Sequence, residues 1–186
     1  MKIYLLDDTS GYVYLIDGSE STYYHYQVVC PISLYPLLMS SGGTAERLEM
    51  DKGVGKIYTP LVWHKDVPEY TNIFENLALN CMLFYVGMLA EGVTKLEAEA
   101  VLPQTMLVKL SVKVDHGQLL RMITYGLPGN HTKTPLVYMA AMLAFTAKGG
   151  KLSWGVALSI RQLPDDLAET LMEYTNYFIG LLIEQE

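Results

Sequence analysis

The sequence predicts an α+β fold: a largely antiparallel sheet with about three helices, the last a long amphipathic helix at the C-terminal end. Three observations carry this expectation. Strand-like segments come in runs, not in strict alternation with helices, which favours antiparallel pairing over βαβ units. Met106, Val108, Leu110, Val112 and Val114 alternate with Lys109, Ser111 and Lys113, the pattern of a strand with one solvated face. Leu167, Leu171, Tyr174, Phe178 and Leu181 recur at helical spacing, with Asp166, Glu173 and Asn176 off that stripe, as in a helix docked along one side.

Lys2–Leu6 and Tyr12–Ile16 are rich in β-branched and aromatic residues, and Asp7, Asp8, Thr9, Ser10 and Gly11 between them have the chemistry of a hairpin turn. After Asp17, Gly18 and Ser19, a third strand is expected over Tyr23–Cys30, ended by Pro31. Gly55–Trp63 reads as a further strand, placed at an edge or bulge by Pro60. Asn72 and Glu75 have capping-box spacing. Ile73, Leu77, Cys81, Phe84 and Met88 then follow at helical period, and Gly92 suits the residue after the helix end. From Leu77 onward this helix is apolar nearly all round, which predicts burial on most sides, in a core or between subunits.

Leu96–Val101 is a weak strand candidate. The alternating segment 106–114 is read as turning at Asp115, His116 and Gly117 into a return strand, Gln118–Tyr125. A second helix follows, with Thr134 as cap, Pro135 in the first turn and Gly149 and Gly150 after its end. Leu152–Ile160 reads as a strand. The last helix starts near Pro164, Asp165 and Asp166. With no change of composition along its length, the chain 1–186 reads as a single domain. Ser40–Val54 is the best place for a boundary if there is one.

Composition narrows the function. The 186 residues (20.8 kDa) are 51% apolar and 18% charged, with a net charge of −7. Disorder is excluded, and the acidic balance argues against nucleic acid. The first 46 residues hold one lysine and no arginine, so their tyrosines lack the cations that base stacking on a strand of nucleic acid requires. The near-continuous apolar run Leu77–Ala90 is 14 residues long, short of the roughly 18 of a membrane span, so no membrane association is expected. Apolar residues at the N-terminal end stop after Leu6 at two aspartates, without the pattern of a signal peptide. A cytoplasmic protein with reduced thiols is the expectation.

Catalytic and metal signatures are missing. No two of His25, His64, His116 and His131 stand four residues apart, and neither H-E-x-x-H nor G-x-S-x-G occurs. Cys30 and Cys81 form no C-x-x-C pair; Cys81 reads as core. The pairs Asp7/Asp8 and Asp165/Asp166 suit a turn and a helix start. No cofactor is expected. One segment has a chemical logic of its own. Gly126–Thr134 runs from a strand-like stretch through a glycine loop into a helix start, where Gly129, His131, Lys133 and Thr134 can hold an anion. It is not a phosphate loop of the G-x-x-x-x-G-K-[ST] kind, because Thr132 precedes Lys133 in place of glycine.

Fourteen tyrosines, ten methionines and a mean hydropathy of +0.19 favour association with another chain. The expected function is therefore a non-enzymatic interaction or assembly component, oligomeric, of the kind found in phage or bacterial structural assemblies. Its interface is expected at Tyr12, Tyr14, Tyr23, Tyr24 and Tyr26, with Tyr177 on the last helix. Two alternatives stand beside it: an acidic inhibitor or immunity-type protein covering a basic partner, and a nucleotide- or phosphate-binding protein using Gly126–Thr134.

Overall fold

The structure, a computed structural model, describes residues 3–6, 11–17, 23–39, 44–50, 68–104, 106–127 and 133–184. Its strands are Ile3–Leu6 (β1), Gly11–Asp17 (β2), Tyr23–Pro31 (β3), Thr44–Met50 (β4) and Leu107–Asp115 (β5). They form one sheet in the order β1-β2-β3-β5-β4, and every neighbouring pair is antiparallel. The expected α+β class and antiparallel sheet are therefore what the chain adopts. β4 was not foreseen; Thr44–Met50 carries two glutamates and an arginine, the charged composition that suits a sheet edge. Gly55–Trp63, expected as a strand, lies outside the described residues.

Alternation along the strands builds the core. Tyr24, Tyr26, Val28 and Cys30 on β3 stand opposite Val114, Val112, Leu110 and Val108 on β5. Val13 on β2 pairs with Val28. Apart from half-buried Tyr24, these side chains are buried. The other face presents Tyr23, Gln27, Lys109 and Lys113, none of them buried. On that face His25 Nε2 lies 2.7 Å from Ser111 Oγ.

The helices are Tyr35–Met39 (α1), Pro68–Ala90 (α2), Lys95–Ala98 (α3), His116–Arg121 (α4), Lys133–Ala144 (α5), Trp154–Arg161 (α6) and Asp165–Glu184 (α7), more than the three expected. α5 and α7 pack together, and Met139, Met142, Leu143, Leu171, Phe178 and Ile179 close the core over the inner face of the sheet. The Tyr26 hydroxyl donates to the Met142 carbonyl at 3.0 Å, which satisfies its one polar atom inside the core. Thr175, also fully buried, donates to the Leu171 carbonyl at 2.7 Å. Gly149 and Gly150, with φ of 56° and 72°, occupy the left-handed region. They form a tight turn closed by the Lys148–Lys151 bridge.

Three strand expectations are corrected. Gln118–Tyr125 is not a return strand. Asp115 accepts from the Gln118 amide at 2.6 Å while Gln118 Oε1 accepts from the Asp115 amide at 2.7 Å. This capping box starts α4, which runs on as a π-helical turn over Met122–Gly126. Leu96–Val101 is likewise helical, α3 followed by a 3₁₀ turn, with Thr94 and Glu97 as its capping box. Leu152–Ile160 is mostly α6, capped by Ser153, with Val156 and Ile160 buried one turn apart. α5 begins at Lys133, so Thr134 lies inside the helix and not at its cap.

Candidate functional site

α2 is the exceptional element. Its 23 residues make a helix about 34 Å long at 1.5 Å per residue. Pro68 opens it, where a missing N–H leaves no bond unmade. It starts before Asn72, so the Asn72–Glu75 pair lies within the helix and does not cap it. Its end is as expected. Gly92 takes φ 84°, the Val93 amide donates to the Met88 carbonyl at 3.0 Å, and the Gly92 amide donates to the Leu89 carbonyl at 3.1 Å. This is the Schellman arrangement, which satisfies carbonyls that would otherwise end the helix unpaired.

Among the described residues, only one side of α2 is held. Ala78 and Tyr85 are buried, and Tyr85 joins Ala98, Leu102 and Met106 in a small cluster separate from the main core. Met82 and Met88 pack against its edge. The rest is open. Ile73, Leu77, Leu83, Phe84 and Val86 are 57–62% exposed, and Leu79 and Leu89 are also exposed. Only 11% of the stretch Asn72–Ala90 is buried. Burial within this fold, one of the two settings expected for the helix, is thus corrected: among the described residues, the helix touches the rest of the fold along one stripe. The same nineteen residues are long and apolar enough to cross a membrane by length and composition. The near-continuous apolar run from Leu77 understated this length because it stops short of Asn76, Glu75 and Asn72.

The residues expected at an interface scatter. Tyr23 and Tyr177 are exposed at 58% and 61%, Tyr14 and Tyr24 are half-buried, and Tyr26 is fully buried. The side chain of Tyr12 lies outside the described residues. Tyr24 and Tyr26 share one face, as alternation requires, with ring centroids 6.0 Å apart. Tyr26 is a core residue because Met142 offers its hydroxyl a partner, and its surface role is corrected accordingly. Of the anion-binding candidates, Gly129 and His131 lie outside the described residues. Lys133 and Thr134 sit in the first turn of α5, and their side chains are not described. Among the described residues no three His, Cys, Asp or Glu side chains converge on a point where a metal ion would fit. Cys30 is buried and Cys81 half-buried.

Burial pushes the Cys30 thiol far above its ordinary 9.0. Burial, and then the neighbouring Tyr24, push the Tyr26 phenol well above 10.0. Both groups stay protonated in the fold while the unfolded chain loses their protons near pH 9 and 10. Their contribution to stability is therefore complete below pH 9 and declines as pH rises beyond it. Scanning calorimetry should show the melting temperature falling from pH 9 upward, with a shallower fall in Cys30→Val. A melting temperature level between pH 8 and about 10.5 would contradict the burial of both groups.

No protein-family model matches the chain, and no curated protein matches it. The functional reading accordingly rests on the exposed face of α2. The sequence did signal a helix apolar all round; it did not say that the fold would leave most of that surface uncovered.

Proposed function

We propose that this chain is a non-enzymatic assembly component that docks through the outer face of α2. The exposure of that helix supports the reading. A soluble chain seldom presents so many large apolar side chains side by side unless another surface covers them. The tyrosines named from the sequence become secondary to α2; exposed Tyr23 and Tyr177 are single residues without a comparable stretch around them.

The test compares the wild-type chain with a Leu83→Glu, Phe84→Glu variant in extracts of the producing cell, detected by antibody after gel filtration. Both positions are more than 60% exposed, so the variant should keep its fold, which circular dichroism checks. The wild type is expected in a particle well above 20.8 kDa and the variant at the size of the lone chain. A lone wild-type chain, or a complex that survives the two glutamates, would overturn the reading.

A further inference from the structure

We infer that the outward side of α4 and α6 is a second contact surface, for an anionic bilayer. Tyr125, Trp154 and Leu158 enter the headgroup layer there, and Arg121, Lys151 and Arg161 meet lipid phosphates and carboxylates around them. α2 takes no part, so this surface stands whether or not the docking reading for α2 holds.

Charge is spread unevenly along the chain. Residues 116–164 hold five of its thirteen lysines and arginines and none of its twenty aspartates and glutamates. The net charge of −7 averages this basic stretch with an acidic majority, and says little about a partner that meets the stretch alone. Such asymmetry points to a polyanionic surface, membrane or nucleic acid.

The fold turns the stretch outward. Gly155 on α6 faces α4, where an added side chain would lie 3.6 Å from His116 Nε2 and 4.0 Å from Leu120 Cδ1. Val156 and Ile160 bury a second side of α6, and Leu119 and Met122 bury the inner side of α4 and its π-helical turn. At about 100° per residue, Trp154, Leu158 and Arg161 fall in one stripe along the remaining side of α6, and all three are exposed. Arg121 and Tyr125 are exposed on the neighbouring α4 and its π-helical turn. The rings of Trp154 and Tyr125 stand 78% and 80% exposed. Lys151, exposed in the turn ahead of α6, and Arg161 in its last turn put a cation at each end of the apolar residues.

This arrangement favours lipid over other anions. Tryptophan and tyrosine settle at headgroup depth, where the ring meets apolar chains and its polar edge meets water. A helix lying on a bilayer joins such residues to lysines and arginines that reach the phosphates. Rings that stand clear of the surface enter a fluid headgroup layer at any spacing, whereas a protein partner needs a pocket cut to each. Single-stranded nucleic acid also stacks on aromatic rings, but its backbone follows a continuous basic track. Here Asp165 and Asp166 open α7 directly after Arg161 and the short turn behind it. Asp115, ahead of the stretch, is engaged as the cap of α4, accepting from the Gln118 amide.

Flotation of the purified full-length chain with phosphatidylcholine vesicles, with and without about 30% phosphatidylserine, tests the inference at about 50 mM salt. The chain is expected to float with the anionic vesicles alone and to be released at about 0.5 M salt. Each cation neutralised should weaken binding about fivefold, so Lys151→Gln with Arg161→Gln should weaken it about 25-fold. Trp154→Ala keeps every charge and should weaken it about tenfold or more. All three positions are exposed, so the variants should keep their fold, which circular dichroism checks. Leu83→Gln with Phe84→Gln interrupts the open face of α2 without changing charge and should float as the wild type does. No flotation with anionic vesicles, or equal flotation with neutral ones, would overturn the inference. So would flotation indifferent to Trp154→Ala and to the two glutamines on α6, or flotation lost in the α2 variant. Tighter binding of soluble polyglutamate or of oligothymidylate than of the anionic vesicles would assign the surface to an acidic polypeptide or to nucleic acid and overturn it too.

Discussion

Leu110→Ala is expected to lower the stability of the chain by about 3 kcal/mol, within the range for a buried leucine cut back to alanine, and its melting temperature by roughly 6–12 °C. Leu110 is fully buried on β5. Its strand is bonded on both sides, with Val28 of β3 on one flank and Arg47 of β4 on the other. A backbone tied in two directions cannot move in to fill the space that the lost side chain leaves, so the cavity persists and adds to the lost transfer energy. Lys113→Ala provides the control. It lies on the same strand but is exposed on the opposite face, and should change stability by less than about 0.5 kcal/mol. Urea unfolding of the three proteins decides the matter. If the two substitutions had equal effects, the assignment of inner and outer faces on β5 would be wrong.

β5 was legible because its pattern admits one reading. Alternation over Val108–Val114 puts every apolar side chain on one face of a strand, whereas a helix would scatter them around its surface. Gln118–Tyr125 and Leu152–Ile160 are short apolar stretches, and over such lengths strand and buried helix look alike. The deciding signal sat just ahead of each. Asp115 with Gln118 is a capping box in sequence as well as in structure, and Ser153 caps α6. The same spacing at Asn72 and Glu75 starts nothing, because helical residues already precede it from Pro68. A capping pair therefore marks a start only where the chain before it is not helical. Tyr26 shows a different limit. Alternation assigned its face correctly, but burial depended on the Met142 carbonyl, 116 residues away, which no local pattern records. The exposure of α2 was hidden for a related reason. An apolar surface all round is common to core helices, membrane spans and interface helices, and the number of sides that the fold covers is a tertiary property.

Tyr85→Ala should detach the second cluster without unfolding the first. Tyr85 is 5% exposed and is the largest side chain in a group whose other buried members are Ala98, Leu102 and Met106. Cutting a buried aromatic ring to alanine costs about 3–5 kcal/mol, more than so small a cluster is able to absorb. Among the described residues, its ties to the main core are narrow. Ile32 packs against both clusters, the Ile32 amide donates to the Met106 carbonyl at 2.9 Å, and the Ser33 amide donates to the Gln104 carbonyl at 3.0 Å. The damage should therefore stay local. Amides around Tyr85 and over α3 should exchange with solvent about 100-fold faster or more, equivalent to nearly 3 kcal/mol of lost local stability. Those of Val108–Val112 should keep their protection, and the melting temperature should move far less than in Leu110→Ala. A fall as large as that of Leu110→Ala would mean that the clusters unfold as one unit. The docking face would suffer in either case, because α2 presents its outer face in a fixed orientation only while Tyr85 holds the opposite side. A helix that must be ordered at the moment of contact loses affinity by the entropy of that ordering. Tyr85→Ala should thus weaken the assembly seen in extracts although Tyr85 itself faces away from the docking face, which separates holding the helix in place from contacting the partner.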